Sequence, residues 1–240
     1  MLQLQAVEPN LLLNAQRFFS LPWTKDFLLV GGTNAALQIG HRLSVDIDLF
    51  TNTKFLSGEV LRKIEQDFSV EKNRVVIDET RLVVFIQPHG IKLDLFHLDL
   101  EIKKPAIVDN GMRLANLMDL AAMKIEAMIQ RREKKDYIDL HFIFKKLDPH
   151  ECLKHFHQVD QYCSPKSVAF ALTEVESAKN NQSEMPKMLA AVNWEEIDNE
   201  FRIVASKYAK SIGINIDLDT SKKQSKLKSK DQDEDFEISM

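Results

Sequence analysis

A chain of 240 residues with 44 % hydrophobic side chains is long enough to bury one substantial core and a further helical unit. Its net charge of −4 excludes a chain-wide electrostatic drive toward nucleic acid and leaves only local basic faces for that purpose. Two cysteines, Cys152 and Cys163, build no disulfide framework; with no apolar run long enough for a bilayer and no signal-like N-terminus, a cytoplasmic protein without membrane contact is expected.

In chain order, an amphipathic helix around Leu11 precedes a short apolar strand over residues 26–30, which ends at Gly31-Gly32. Thr33 to Gln38 reads as the first turns of a helix, and glycines at such a point let phosphates approach the backbone N–H groups of the helix start. The pair is neither a P-loop, since no Gly-Lys-Ser/Thr follows, nor a Rossmann fingerprint, since the third glycine is missing. His41 and Arg42 come next, placed to contact phosphates, although Arg42 could equally pair with Asp48. Val45, Ile47 and Leu49 then alternate with Asp46, Asp48 and Phe50, a period of two that puts Asp46 and Asp48 on one face of a strand. Two carboxylates so close repel each other, and a cation between them resolves the repulsion. Mg²⁺ suits all-oxygen ligands that leave room for substrate phosphates.

Residues 57–68 read as a helix, followed by a strand near Val75 and a hairpin whose arms, 81–86 and 91–97, flank Gln87-Pro88-His89-Gly90. Lys92, Asp94 and Phe96 share one face of the second arm. Asp94 is therefore the candidate third carboxylate that a two-metal phosphoryl-transfer site takes from a neighbouring strand. Up to residue 108 the pattern predicts a mixed α/β sheet with helices packed on it.

Beyond Asn110 nearly every segment is helical. Leu114, Leu117, Ala121, Ile125 and Met128 recur every three or four positions over 113–132, predicting an amphipathic helix with Asn110-Gly111 as its start signal. Lys124 borders its apolar stripe, where a lysine either snorkels to water or binds phosphate. The basic run Arg131-Arg132-Glu133-Lys134-Lys135 closes the helix as dipole complement, solvated face, or clamp for triphosphate and nucleic acid. Asp136 opens a helix over 137–146, where an N-cap or first-turn acid has a full structural explanation. Helices over 164–179, started by Ser164-Pro165, and over 194–210 follow. His150, Cys152, His155 and His157 lie close together, but their spacing does not converge on one zinc ion. The lysine and acidic blocks within 216–240 read as a disordered charged tail.

Gly31-Gly32-Thr33, then Gly40-His41-Arg42-x-Ser44-x-Asp46-x-Asp48-Leu49-Phe50, then Asp119-Leu120-x-x-x-Lys124, Arg131 and Lys135-Asp136-x-x-Asp139-Leu140 together resemble the AbiEii-type nucleotidyltransferases. These are toxins of bacterial toxin–antitoxin and phage-defence systems within the polymerase-β-like nucleotidyltransferase superfamily. The resemblance implies an α/β (α+β) fold: a polymerase-β-like mixed sheet with flanking helices over 1–108, then a helical subdomain over 109–215 that completes the active site. It implies transfer of a nucleoside monophosphate from an NTP to an acceptor, often tRNA, with two Mg²⁺ ions, and a cognate antitoxin as counterpart. In that scheme Asp46 and Asp48 bind both metals, and Asp94 completes the one that activates the acceptor hydroxyl. Gly31, Gly32, Thr33 and Arg42 contact the phosphates, Lys124 and Arg131 neutralise them, and Asp136 orients the lysine or touches the nucleotide. Two other readings use the same residues: an antibiotic- or small-molecule-modifying nucleotidyltransferase, and a non-catalytic partner-binding protein that keeps the fold.

Overall fold

The computed structural model describes residues 1–98 and 102–214, so the tail read at 216–240 lies outside the described residues. The first half of the chain forms α1 (Pro9–Ser20), β1 (Leu28–Val30), α2 (Gly31–Ile39), β2 (Asp46–Thr51), α3 (Ser57–Asp67), β3 (Val76–Ile77), β4 (Arg81–Ile86), β5 (Ile91–His97), β6 (Ile107–Asp109) and β7 (Met112–Leu114). The strands make one seven-stranded mixed sheet in the order β3-β4-β5-β2-β1-β7-β6. β2 runs parallel to β5 and β1 parallel to β7, while the remaining neighbours are antiparallel.

Period-two patterning decides which face is dry. Ile47, Leu49, Leu82, Val84, Leu93 and Leu95 are all fully buried and pack with Leu11, Phe18 and Phe19 of α1 and with Val60 and Ile64 of α3. The opposite face of β2 and β5 carries Asp46, Asp48, Lys92 and Asp94, and only a small apolar group, Val30, Phe50 and Ala115, closes it off.

Six further helices follow: α4 (Leu117–Arg131), α5 (Lys134–Phe144), α6 (Pro149–Val159), α7 (Pro165–Leu172), α8 (Val175–Lys179) and α9 (Trp194–Ser211). They surround a second core that includes Met128, Tyr137, Phe156 and Phe201. α2 lies between the two cores, with Ala35 in the helical one and Leu37 in the one beneath the sheet. Among the described residues, no helix is long and apolar enough to cross a membrane.

Two elements differ from expectation. Asn110-Gly111 does not start a helix; both residues have positive φ, 49° and 73°, and form the tight turn between β6 and β7. Asn-Gly favours that backbone because its two turn residues tolerate positive φ. The sheet therefore continues past residue 108, and α4 begins only at Leu117, where the Asn116 side chain accepts a hydrogen bond from the Met118 amide at 3.0 Å. The helix expected over 164–179 breaks at Thr173, whose hydroxyl donates back to the Phe170 carbonyl at 2.8 Å, leaving α7 and α8.

Asn34 fastens the sheet to the helical half. Its buried amide nitrogen donates to the Leu29 carbonyl at 2.9 Å and to the Ala115 carbonyl at 3.0 Å, joining α2, β1 and the connection into α4. Asn34→Ala removes both bonds, at about 1 kcal/mol each, and should lower Tm by about 4–8 °C. Thermal melting followed by circular dichroism checks this, and an unchanged Tm would contradict the fastening role.

Candidate active site

The parallel register of β2 and β5 sets Asp46 opposite Lys92 and Asp48 opposite Asp94. β1 ends at Val30, opposite Asp48, and the chain turns at once into α2. Gly31 has φ +65°, and a Cβ there would lie 2.0 Å from Asp48 Oδ2; a Cβ on Gly32 would lie 2.4 Å from Arg42 Nη2. The two glycines are thus required first by side chains of this chain pressed against the helix start. No side chain caps that start. The unpaired first-turn N–H groups and the positive end of the helix dipole stand beside the Asp48 carboxylate.

Burial pushes the Asp48 carboxyl up from its ordinary pKa; the charges of Asp94 and Asp46 add to the shift, and Lys92 and Lys124 oppose it. An anion held among anions is the condition under which a divalent cation binds favourably, and the Asp46–Asp48 pair offers oxygen donors of the right kind for Mg²⁺.

Asp94 is in a different state from the one expected of a free third ligand. β5 is an interior strand, and Asp94 is 3 % exposed. Arg81 reaches across from β4 and donates Nε to Oδ1 at 2.8 Å and Nη2 to Oδ2 at 2.5 Å, while Lys92 Nζ lies 2.8 Å from Oδ2. Burial works against ionisation of Asp94, but these hydrogen bonds and charges outweigh it and hold the pKa below the usual carboxylate range. Among the described residues, no three His, Cys, Asp or Glu side chains already stand together as a metal cage.

The second half of the site comes from α4 and α5. Asp139 is fully buried and accepts from Arg42 Nε at 2.6 Å and Nη2 at 2.9 Å, from His41 Nε2 at 2.7 Å, and from Lys124 Nζ at 2.7 Å. Burial alone would raise its pKa; Lys124, Arg42 and His41 together pull it well below the ordinary value. Lys124 Nζ also lies 3.5 Å from Asp136, on which Arg131 closes with Nε and Nη2, both at 2.8 Å.

Several residues expected at the phosphates therefore stand elsewhere. Arg42 is buried, its fork is closed on Asp139, and its Nη1 donates to the Leu43 carbonyl at 3.1 Å. The Thr33 hydroxyl is buried and donates to the Asp46 carbonyl, so it braces β2. Asp136 is fully buried and positions Arg131 and Lys124. Arg131, with its side chain 45 % exposed, keeps donors free of Asp136 on its open side. The residues given no role from sequence are Asp139, Arg81 and Lys92. Asp136 and Asp139, three apart on one helix, announce a shared face, but not the cations that gather there.

Cys152, His155 and His157 serve separate contacts. Cys152 lies in the helical core, His157 Nε2 pairs with the Tyr208 hydroxyl, and His155 Nε2 lies 2.6 Å from Asp119. Asp119 in turn accepts from the backbone amide of Lys104 at 3.0 Å.

Residues 13–209 match the family model described as nucleotidyl transferase AbiEii toxin, Type IV TA system. The chain belongs to the AbiEii family. A protein of Aquifex aeolicus (strain VF5), aq_aa25, is 32 % identical over 135 residues, which make up 55 % of this chain and 64 % of that protein, so the match spans less than two thirds of the relative's length. Among solved structures, a candidate nucleotidyltransferase from H. pylori is similar with a TM-score of 0.53 at 17 % identity, over 85 % of this chain and 94 % of that one. JHP933 from Helicobacter pylori gives 0.50 at 17 % identity, over 92 % and 95 %. At such identities the likeness establishes the nucleotidyltransferase fold. The candidate residues fall into two layers here: Asp46 and Asp48 on the sheet, and Lys124, Arg131, Asp136 and Asp139 on the helices, with Arg42 closed on Asp139 and lying against Gly32 at the start of α2.

Removing Asp139 should test that binding. Asp139→Ala leaves Arg42, His41 and Lys124 buried without their counter-charge and should cost about 3–5 kcal/mol in urea unfolding; an unchanged midpoint would contradict the role. Because the folded pKa is lowered, this carboxylate's contribution is full above about pH 4 and is lost as pH falls through the folded value. In Asp139→Asn the fall in stability below about pH 4 should be shallower than in the wild type.

Proposed function

We propose that this chain transfers a nucleoside monophosphate from an NTP to a hydroxyl of an RNA acceptor, with the 3′ end of tRNA as the acceptor, and does so as the toxin of a toxin–antitoxin or phage-defence pair. The observation that carries the reading is the Asp46–Asp48 pair beside the uncapped start of α2. Family membership supports the transfer chemistry and makes a cognate antitoxin the proposed counterpart.

Asp46 and Asp48 would hold Mg²⁺, which when bound supplies positive charge to the phosphates of the incoming NTP. The first turn of α2 offers backbone N–H groups to the same phosphates. Arg131 presents its open side to developing negative charge, and Asp136 fixes the direction of its guanidinium so that little reorganisation accompanies the reaction. In the transfer, the acceptor hydroxyl gives up its proton to solvent, its oxygen bonds to the α-phosphorus as the bond to the bridging α–β oxygen breaks, and pyrophosphate leaves with that oxygen.

The acceptor assignment rests on charge. Arg131 and Lys135 keep partly exposed cationic groups at the α4–α5 junction, gathered around Glu133, which lies 2.9 Å from Lys135 Nζ and 3.8 Å from Arg131 Nε, and suited to a polyanion that competes with this one carboxylate. The basic face is narrower than the sequence suggested. Lys134 Nζ donates to the Ser183 carbonyl at 2.6 Å, and Arg113 Nη2 donates to the Thr24 carbonyl at 2.6 Å, so both serve the fold. NTP and tRNA as substrates imply a cytoplasmic site of action.

Incubation with each α-³²P-labelled NTP, Mg²⁺ and total bacterial tRNA, resolved on a denaturing gel, should label tRNA with at least one NTP. Asp46→Asn should fold normally and lose at least about 100-fold in label, the scale of removing one preorganised charge-stabilising group. Full labelling by that variant would contradict the assignment. Absence of label from all RNA, alongside Mg²⁺-dependent NTP binding, would move the acceptor to a small molecule or protein.

A further inference from the structure

Lys92 holds a position that nucleotidyl transfer by two divalent ions leaves without a purpose. It lies on β5 directly opposite Asp46, on the same face as Asp94, and its ammonium is 2.8 Å from Asp94 Oδ2. Burial disfavours its charge, yet Asp94, Asp48 and Asp46 more than compensate and raise its pKa. One ammonium thus pairs with Asp94 while its residue stands opposite Asp46 in the register of the two strands.

In a two-ion site a third carboxylate must offer an oxygen to the ion on the acceptor side. Asp94 is ill placed to do so. Both of its oxygens are engaged by N–H donors, a fork from Arg81 and the ammonium of Lys92, and the carboxylate is almost completely buried. A bidentate guanidinium–carboxylate pair supplemented by an ammonium is among the stronger polar arrangements a protein makes. A second ion would have to displace these donors and enter against their charge. Asp46 and Asp48 have no such cation closed on them by a direct ion pair among the described residues, and they remain the pair suited to one ion.

We propose that Lys92 stands in for the second ion, so that this chain takes a single divalent cation with its nucleotide, held by Asp46 and Asp48, while Asp94 anchors Lys92 instead of binding metal. The inference rests on the nucleotidyltransferase reading above. Arg81 completes the arrangement by holding the far side of Asp94, which leaves the lysine facing the β2 carboxylates. Lys92 is a positioning and charge-supplying residue in this scheme, and its presence sets the number of metal ions.

The test counts ions instead of turnover. The full chain is saturated in turn with the non-reactive α,β-methylene analogues of the four NTPs, and bound Mn²⁺ is measured from the loss of the free-ion electron paramagnetic resonance signal. The wild type should bind one Mn²⁺ per chain in complex with the accepted analogue. Lys92→Arg should also bind one, because the charge is kept. The double variant Lys92→Met with Arg81→Met, which frees Asp94 from its donors, should bind two. Two ions in the wild type would overturn the proposal, as would a single ion in the double variant once its thermal melt confirms folding. If the double variant does not fold, the wild-type count decides alone. Failure of every analogue to bind would overturn the nucleotidyltransferase reading and this inference with it, an outcome distinct from two bound ions.

Discussion

A carboxylate buried without solvent has to be met by positive charge, and Asp139 is met by three groups from two parts of the chain. Arg42 and His41 arrive from the segment between α2 and β2, and Lys124 from α4. Breaking such a network strands the remaining charges, so the sheet and the helices cannot drift apart without a large penalty. Arg42 also lies against Gly32, where only a hydrogen leaves room for its guanidinium. The buried carboxylate therefore reaches the start of α2 and fixes how the carboxylates of β2 face the cations of α4.

The site as a whole is organised by alternating charge. On the sheet, Asp46, Asp48 and Asp94 are interleaved with Lys92 and Arg81; on the helices, Asp136 and Asp139 are interleaved with Lys124 and Arg131, and Arg42 reaches in from the α2–β2 connection. In each layer most polar groups already have partners; unmet capacity among the described residues includes Asp46, Asp48, the first turn of α2, the open side of Arg131 and the buried His41 Nδ1. A triphosphate with a divalent ion matches that residue of unmet charge: cation against carboxylates, anion against N–H groups and guanidinium. Under the proposed function the arrangement is preorganised, since Arg131 and Lys124 are held in place by Asp136 and Asp139.

The strand carrying Asp46 and Asp48 was readable because alternation is local and the pleat enforces it. The hairpin that presents Asp94 was readable for the same reason. What one strand cannot reveal is its neighbour: Asp94 was read as an open third carboxylate, and the β4 side chain that closes on it is a matter of cross-strand pairing. Arg42 was read as a phosphate contact or a partner of Asp48 because its actual partner, Asp139, lies 97 positions away on α5. Asn110-Gly111 could have been read correctly, since Asn-Gly between short apolar runs is a hairpin signal. The helical period beginning at Leu114 masked it, and the two β6–β7 strands are too short to show a period of their own. Membership in the AbiEii family was legible in the sequence, whereas which side chains stand open and which are closed on partners depends on contacts that only folding creates.

The most direct measurement of the central claim is calorimetric titration of each NTP into the full chain, with and without Mg²⁺, for the wild type and Asp48→Asn. The account predicts that at least one NTP binds the wild type, that omission of Mg²⁺ abolishes the heat of binding, and that Asp48→Asn loses binding while retaining its thermal transition. Binding of equal affinity without Mg²⁺, or undiminished in Asp48→Asn, would contradict a nucleotide site built on the β2 carboxylates.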